Sequence, residues 1–174
     1  LTERVGFNLS ALSPDDIVID LRAEHPDWSE AELLLTAQGM SDQAVDQAIA
    51  DRHSIMVETV LSSSKFESRV TTALSNGFEF GFAYVTVRRA ELNVERVKDR
   101  VENGGHDVPE DRIRARRERS HKAAAWFAAR AHVGAVFDNS GYKPVLLAEK
   151  PRDAPAWDVI DPEAMNSLGL KFTP

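Results

Sequence analysis

Short runs of β-branched and aromatic residues alternate along this chain with helical segments of ten residues or more, and nothing else in the sequence constrains the fold as strongly. The runs are Ser54–Glu58, Phe82–Val87, His132–Phe137 and Lys143–Glu149. Their largely continuous apolar character suits strands covered on both faces, as in a parallel sheet. Between them, Lys65–Ser75, Ala90–Asn103 and Pro109–Arg130 carry helical spacing. The pattern predicts an α/β fold with helices on both faces of the sheet. Such sheets bind ligands beyond the carboxyl ends of their strands, so polar clusters at strand ends are the first places to look for chemistry.

Toward the amino terminus, Leu1, Val5, Leu9 and Leu12 have helical spacing and predict an opening helix. Pro14 suits the first position of a second helix running to Glu24, and His25-Pro26 ends it. Ser29 with Glu32 three residues on reads as a capping box. The helix it opens is expected to break at Gly39 or Ser41 and to resume as far as Asp51. Asn76-Gly77 closes the Lys65–Ser75 helix. Beyond Lys150, Pro151, Pro155 and Pro162 divide a tail into short pieces, with Trp157–Ile160 as an added edge strand. With 174 residues, 43% of them hydrophobic, a single domain over 1–174 is expected, with a helical lid at about 90–130 and a tail at 150–174.

The net charge of −7 is unevenly spread. Positions 1–87 hold 5 Lys/Arg against 14 Asp/Glu, positions 88–122 hold 11 against 8, and positions 123–174 hold 5 against 6. An anionic ligand would be drawn to the middle segment. Nucleic acid fits poorly, because that segment is interleaved with acids and has no aromatic residue between Arg88 and Lys122 to stack on bases. The chain has no cysteine, which excludes a catalytic thiol and thiolate metal sites and agrees with a reducing cytoplasm. The histidines lack metal-site spacing, so no metal site is assigned to protein ligands. No stretch has the length and apolarity of a membrane span or a signal-peptide core.

Three polar clusters stand at strand ends or helix starts: Pro14-Asp15-Asp16, Glu58-Thr59 and Asp138-Asn139-Ser140. Each alone has a plain reading as a cap or turn. Glu58 follows an apolar run directly, and a carboxylate leaving a buried strand needs either a ligand or an arginine partner. The basic segment forms two arginine faces across a turn. Arg96 and Arg100 share one face of the first helix, while Arg112, Arg116 and Arg119 align on the second. The turn Asn103-Gly104-Gly105-His106-Asp107-Val108-Pro109 permits a mobile connection. This is the layout of a hinged basic lid whose guanidinium forks suit phosphate, or else of a solvated helix pair whose arginines meet Glu95, Asp99, Glu102 and Glu118.

The run from Arg96-Val97 through Gly104-Gly105-His106-Asp107-Val108-Pro109 to Arg119-Ser120, with Asp138-Asn139-Ser140 further on, closely resembles the bacterial zeta-toxin-like P-loop kinases. Ser13-Pro14-Asp15 is similar to that family's Asn-Pro-Asp element, and Glu58-Thr59-Val60-Leu61-Ser62 to its Glu-Thr-Thr-Leu-Ser element. The resemblance implies a P-loop NTPase-like three-layer sandwich with a mostly parallel sheet. It also implies phosphoryl transfer from ATP, with Mg²⁺, to a small molecule; the best-known members phosphorylate UDP-N-acetylglucosamine, as toxins held by antitoxin proteins. By resemblance, Asp15 is the base, Glu58 and Thr59 line the substrate pocket, Arg100, Arg116 and Arg119 contact phosphates, and Asn139 lies near the nucleotide base. The chain departs from the family in having no Gly-x-x-x-x-Gly-Lys-Ser/Thr loop. Leu1-Thr2-Glu3-Arg4 reads as the continuation of the helix after that loop, so the first strand is expected to be missing as well. Two functions follow: a kinase whose natural product includes that segment, or a shortened relative that binds or interacts without catalysis.

Overall fold

Apolar residues at three- and four-residue intervals, rather than helix propensity alone, decide where this chain is helical. The computed structural model describes residues 11–103, 105 and 107–172. They fall into two compact units, one comprising residues up to Thr59 together with Thr71–Phe78, the other Val60–Val70 together with Glu79 onward.

In the first unit, β1 (Ala11–Leu12) pairs in parallel with β2 (Met56–Val57), Ala11 opposite Met56 and Leu12 opposite Val57. The expected opening helix up to Ser10 lies outside the described residues, and its last two residues, Ala11 and Leu12, are strand instead. Helix α1 (Pro14–Glu24) begins as the proline predicts, with the Ser13 hydroxyl accepting from the Asp15 N–H at 3.3 Å. Helix α2 (Glu30–Ala50) opens with the complete Ser29–Glu32 capping box. Val18 and Leu21 of α1 bury against Leu33 and Ala37 of α2.

The break expected at Gly39 or Ser41 does not occur, and α2 is continuous. Its buried stripe of Leu33, Ala37, Ser41, Val45 and Ile49 runs straight past the glycine. Gly39 faces open space, so it costs the helix only about 1 kcal/mol, less than the stripe contributes. Helix α2 ends in a Schellman motif: His53 N–H donates to Ala48 O at 2.8 Å, and Arg52 takes the left-handed turn at φ 58°.

Helix α3 (Lys65–Ser75) starts in the second unit and ends in the first, closed by Gly77 at φ 83° as the Asn76-Gly77 pair predicts. The second unit is built on a four-stranded sheet in the order β3 (Gly81–Thr86), β4 (Val133–Asp138), β5 (Val145–Lys150), β6 (Asp158–Val159). Helices α4 (Ala90–Glu102) and α5 (Glu110–Ala128) fill the crossover between β3 and β4, which makes that pair parallel. The connection from β4 to β5 is too short for a crossover, so β4, β5 and β6 pair antiparallel and the sheet is mixed. Parallel pairing thus holds for β1 with β2 and β3 with β4, and the α/β class is as expected. The tail carries the expected edge strand and one helix not foreseen, α6 (Pro162–Ser167), capped by the Asp161 carboxylate.

Phe82, Tyr84, Phe127, Val136, Leu147 and Trp157 form the centre of the second unit's core. A Cβ on Gly134 would stand 2.5 Å from Trp157 Cη2 and 2.6 Å from the Phe82 carbonyl oxygen. Only glycine allows β4 to sit that close to both, and Trp157 is in turn held by its indole N–H on Ala128 O at 3.0 Å.

Candidate active site

The first unit's rim follows from the β1–β2 register. Parallel strands end on the same side, and the Glu58 N–H donates to Leu12 O at 3.1 Å, so Glu58 leaves β2 level with the residues entering α1. Asp15 stands in the first turn of α1, at the positive end of the helix dipole. The structure therefore brings Asp15, Glu58 and Thr59 to one sheet rim. All three are exposed. Among the described residues neither the Asp15 nor the Glu58 carboxylate has a hydrogen bond or ion pair to its side-chain oxygens. The arginine partner considered for Glu58 is not found there; β2 is two half-buried residues long, so the carboxylate emerges into solvent rather than from a desolvated strand.

The second unit's rim lies at the carboxyl ends of β3 and β4. Asp138, 4% exposed, closes a tight network. Its Oδ1 accepts from the Ser140 N–H at 2.9 Å and the Ser140 hydroxyl at 2.5 Å, and its Oδ2 from Arg88 Nε at 2.6 Å. Burial by itself pushes this carboxyl up, but the Ser140 hydroxyl, the Arg88 guanidinium and the Ser140 N–H outweigh it and hold it below the usual aspartate range. The Arg88 N–H donates back to the Ser140 hydroxyl oxygen at 2.8 Å. Asn139 is anchored by its backbone: its N–H donates to Thr86 O at 2.7 Å and its carbonyl accepts from Arg96 Nη2 at 2.6 Å.

Helix α5 lies over this rim with several polar residues. Arg117 Nη2 donates to Val87 O at 2.9 Å and Arg88 O at 3.1 Å. His121 bridges Thr86 Oγ1 at 2.8 Å and Leu168 O at 2.9 Å. The carbonyl can only accept, so Nδ1 carries the proton and the Thr86 hydroxyl donates to Nε2. Burial, then the charge of Arg117, pushes the imidazole below its ordinary value, against the pull of the Leu168 carbonyl. Tyr84 OH meets Ser120 Oγ at 2.9 Å, and burial pushes its phenol up.

The basic hairpin is partly committed. Arg114 pairs with Glu91 and Glu110, each at 2.7 Å, and so ties α4 to α5. Arg119 Nε donates to Ser62 O at 2.9 Å, beside Leu61, a buried residue held at φ 54°. Gly105 packs on Arg100, where a Cβ would come within 2.6 Å of Arg100 Cγ, and its N–H donates to Arg100 O at 2.9 Å. Gly104 and His106 lie outside the described residues. The side chains of Arg112 and Arg116 form no hydrogen bond or ion pair with the described residues. The carboxylates of Glu95, Asp99, Glu102 and Glu118, expected to meet these arginines, form no ion pair among the described residues; the partner across the hairpin is Glu91.

Reading residue types missed Arg88, Arg117 and His121. Arg88 had a usable signal, since it follows a strand end directly, as Asp138-Asn139-Ser140 does on the neighbouring strand. Arg117 and His121 had none, because five arginines between positions 112 and 119 do not show which side of the helix turns inward.

Residues 17–149 match the family described as zeta toxin, well over half of the chain. The chain belongs to the zeta toxin family. Its mixed α/β fold with parallel strand pairs is that of a P-loop NTPase-like, kinase-like zeta toxin protein. An uncharacterized protein of Haemophilus influenzae (strain Rd) is 30% identical over 115 residues, covering 64% of this chain and 79% of its own length. No solved structure matches the chain. Among the described residues no helix is long and apolar enough to cross a membrane, and no group of three His, Cys, Asp or Glu is placed to hold a metal ion.

Proposed function

We propose that this zeta toxin family member is an ATP-dependent phosphotransferase acting on the hydroxyl of a small molecule. The observation that carries the reading is the β1–β2 register, which sets two exposed carboxylates with no side-chain partner among the described residues, Asp15 and Glu58, at one sheet rim. Asp15 serves as the base that accepts the proton of the substrate hydroxyl. Glu58 and Thr59 contact the substrate. Arg100, Arg116 and Arg119 meet phosphate oxygens through their guanidinium forks, and Asn139 lies near the nucleotide base. The substrate class is a phosphorylatable metabolite of the UDP-N-acetylglucosamine kind, and the biological setting is a cytoplasmic toxin with an antitoxin partner.

These 174 residues do not by themselves fit Mg²⁺-ATP. They contain no Gly-x-x-x-x-Gly-Lys-Ser/Thr loop to cradle phosphates. The described residues contain no acidic or histidine cluster for the ion either. A second reading is a binding or interaction protein that retains the substrate rim, where Glu58 and Asp15 stand exposed, without catalysis.

The test is a screen of small hydroxyl-bearing metabolites with labelled ATP, run on the natural gene product. Transfer to one acceptor is expected. Asp15→Asn should then lower turnover on the order of 10²- to 10⁴-fold while acceptor binding stays within a few-fold. Full activity in the variant removes Asp15 from the mechanism; no transfer by the wild type to any acceptor favours the second reading.

A further inference from the structure

Arg117 combines two features that no other arginine of the basic hairpin shares. Its Nη2 forks across the Val87 and Arg88 carbonyls, where the chain leaves β3 for α4. Its Nε is buried and has no hydrogen-bond partner among the described residues. A buried guanidinium nitrogen left without an acceptor is costly, so the side chain is held by its terminal fork and its surroundings, against the preference of its own Nε. The residue it holds is itself fixed from the other side: Arg88 is bound to Asp138 at 2.6 Å through its side chain and to Ser140 at 2.8 Å through its N–H. Arg117 thus ties the second helix of the hairpin to the root of the first.

We infer that Arg117 is a positioning residue that sets the rotation of α5, and with it the direction of Arg116 and Arg119, without touching substrate. On a helix, neighbouring residues are offset by a fixed rotation, so anchoring residue 117 to two backbone carbonyls fixes where 116 and 119 emerge. Arg116, with no partner among the described residues, has nothing of its own to set its direction. The inference rests on the proposed phosphotransferase reading for its catalytic consequence, but its structural part does not.

Two variants separate the possibilities. Arg117→Lys keeps a donor for the two carbonyls and removes the orphaned Nε; Arg117→Met removes every donor and leaves the carbonyls unsatisfied. In the natural gene product, Arg117→Met is expected to lose on the order of 100-fold in kcat, as for a misplacement of about 1 Å, with KM for both substrates within a few-fold. Arg117→Lys is expected to recover most of that loss. Hydrogen exchange supplies a readout independent of activity, in which the hydrogen-bonded amides of Arg88 and Leu92 lose protection in the Met variant and retain it in the Lys variant. A Lys variant as defective as the Met variant, or a selective rise in KM for ATP, would show direct contact with phosphate and overturn the inference. So would unchanged exchange at Arg88 and Leu92 in the Met variant. A wild type without transferase activity defeats the functional reading alone, and the exchange result still decides whether Arg117 holds the root of α4.

Discussion

At the scale of single residues, a buried aspartate and a half-buried histidine make acid the condition to which the second unit is most sensitive. Asp138 has a depressed folded-state value, so its network contributes stability that is fully present above its unfolded value near 3.8 and is lost as pH falls through the lower folded value. His121 is depressed as well, but as a base. The unfolded chain binds the proton more readily, so stability is complete above about 6.5 and declines as pH falls below it. Thermal melts of the wild type from pH 7.5 to pH 5 should therefore fall, and His121→Gln should flatten that decline; an equal slope in the variant would exclude the imidazole as its source. Gly134→Ala belongs to the same scale. Its methyl would meet a tryptophan ring and a backbone oxygen together, and backbone cannot swing aside, so a loss of roughly 1–3 kcal/mol by chemical denaturation is expected, as for overpacked cores.

At the scale of elements, three helices end in the same Schellman hydrogen bonds, yet not with the same residue in the left-handed position. Gly77 closes α3 and Gly169 closes α6, whereas Arg52 closes α2. A side chain in that conformation costs about 1–2 kcal/mol, so Arg52→Gly should raise the denaturation midpoint, while Gly77→Ala and Gly169→Ala should lower it. A lower midpoint for Arg52→Gly would mean that the arginine side chain contributes more than its backbone costs. These ends also show what the sequence made legible. Asn76-Gly77 and the Ser29–Glu32 box announced boundaries because their chemistry is local, and the structure has both. Gly39 gave an equally local signal and misled, because a stripe of five buried residues overrides one exposed glycine. The strand at Ala11–Leu12 was illegible for the converse reason. Its leucine fits a helical repeat with Leu1, Val5 and Leu9, and only the distant partner Met56–Val57 makes it a strand. In the candidate site, Asp15, Glu58 and Asn139 stood out by their places at strand ends and helix starts. The inward turn of Arg117 and the bridge made by His121 depend on how α5 is rotated, which a run of arginines does not disclose.

At the scale of the whole molecule, the chain's acidic first half and basic middle segment suit a protein that draws anions to one region only. Without a phosphate-cradling loop in these 174 residues, that region should hold ATP weakly. Calorimetry of this chain with ATP is expected to show weak or no binding, and tight binding would place a triphosphate site among residues not assigned to one above. The mixed sheet has a further consequence, in time rather than in space. The partners in β4, β5 and β6 lie close along the chain, so their hairpins close at little entropic cost, whereas β3 and β4 pair residues 52 apart in sequence, across a crossover that must first become two helices. The second unit should therefore assemble from its carboxyl-terminal meander inward, with β3 the last strand to join. The strand-end network of Arg88, Asp138 and Ser140 then exists only once that late docking is complete, so its acquisition of protection marks the end of folding.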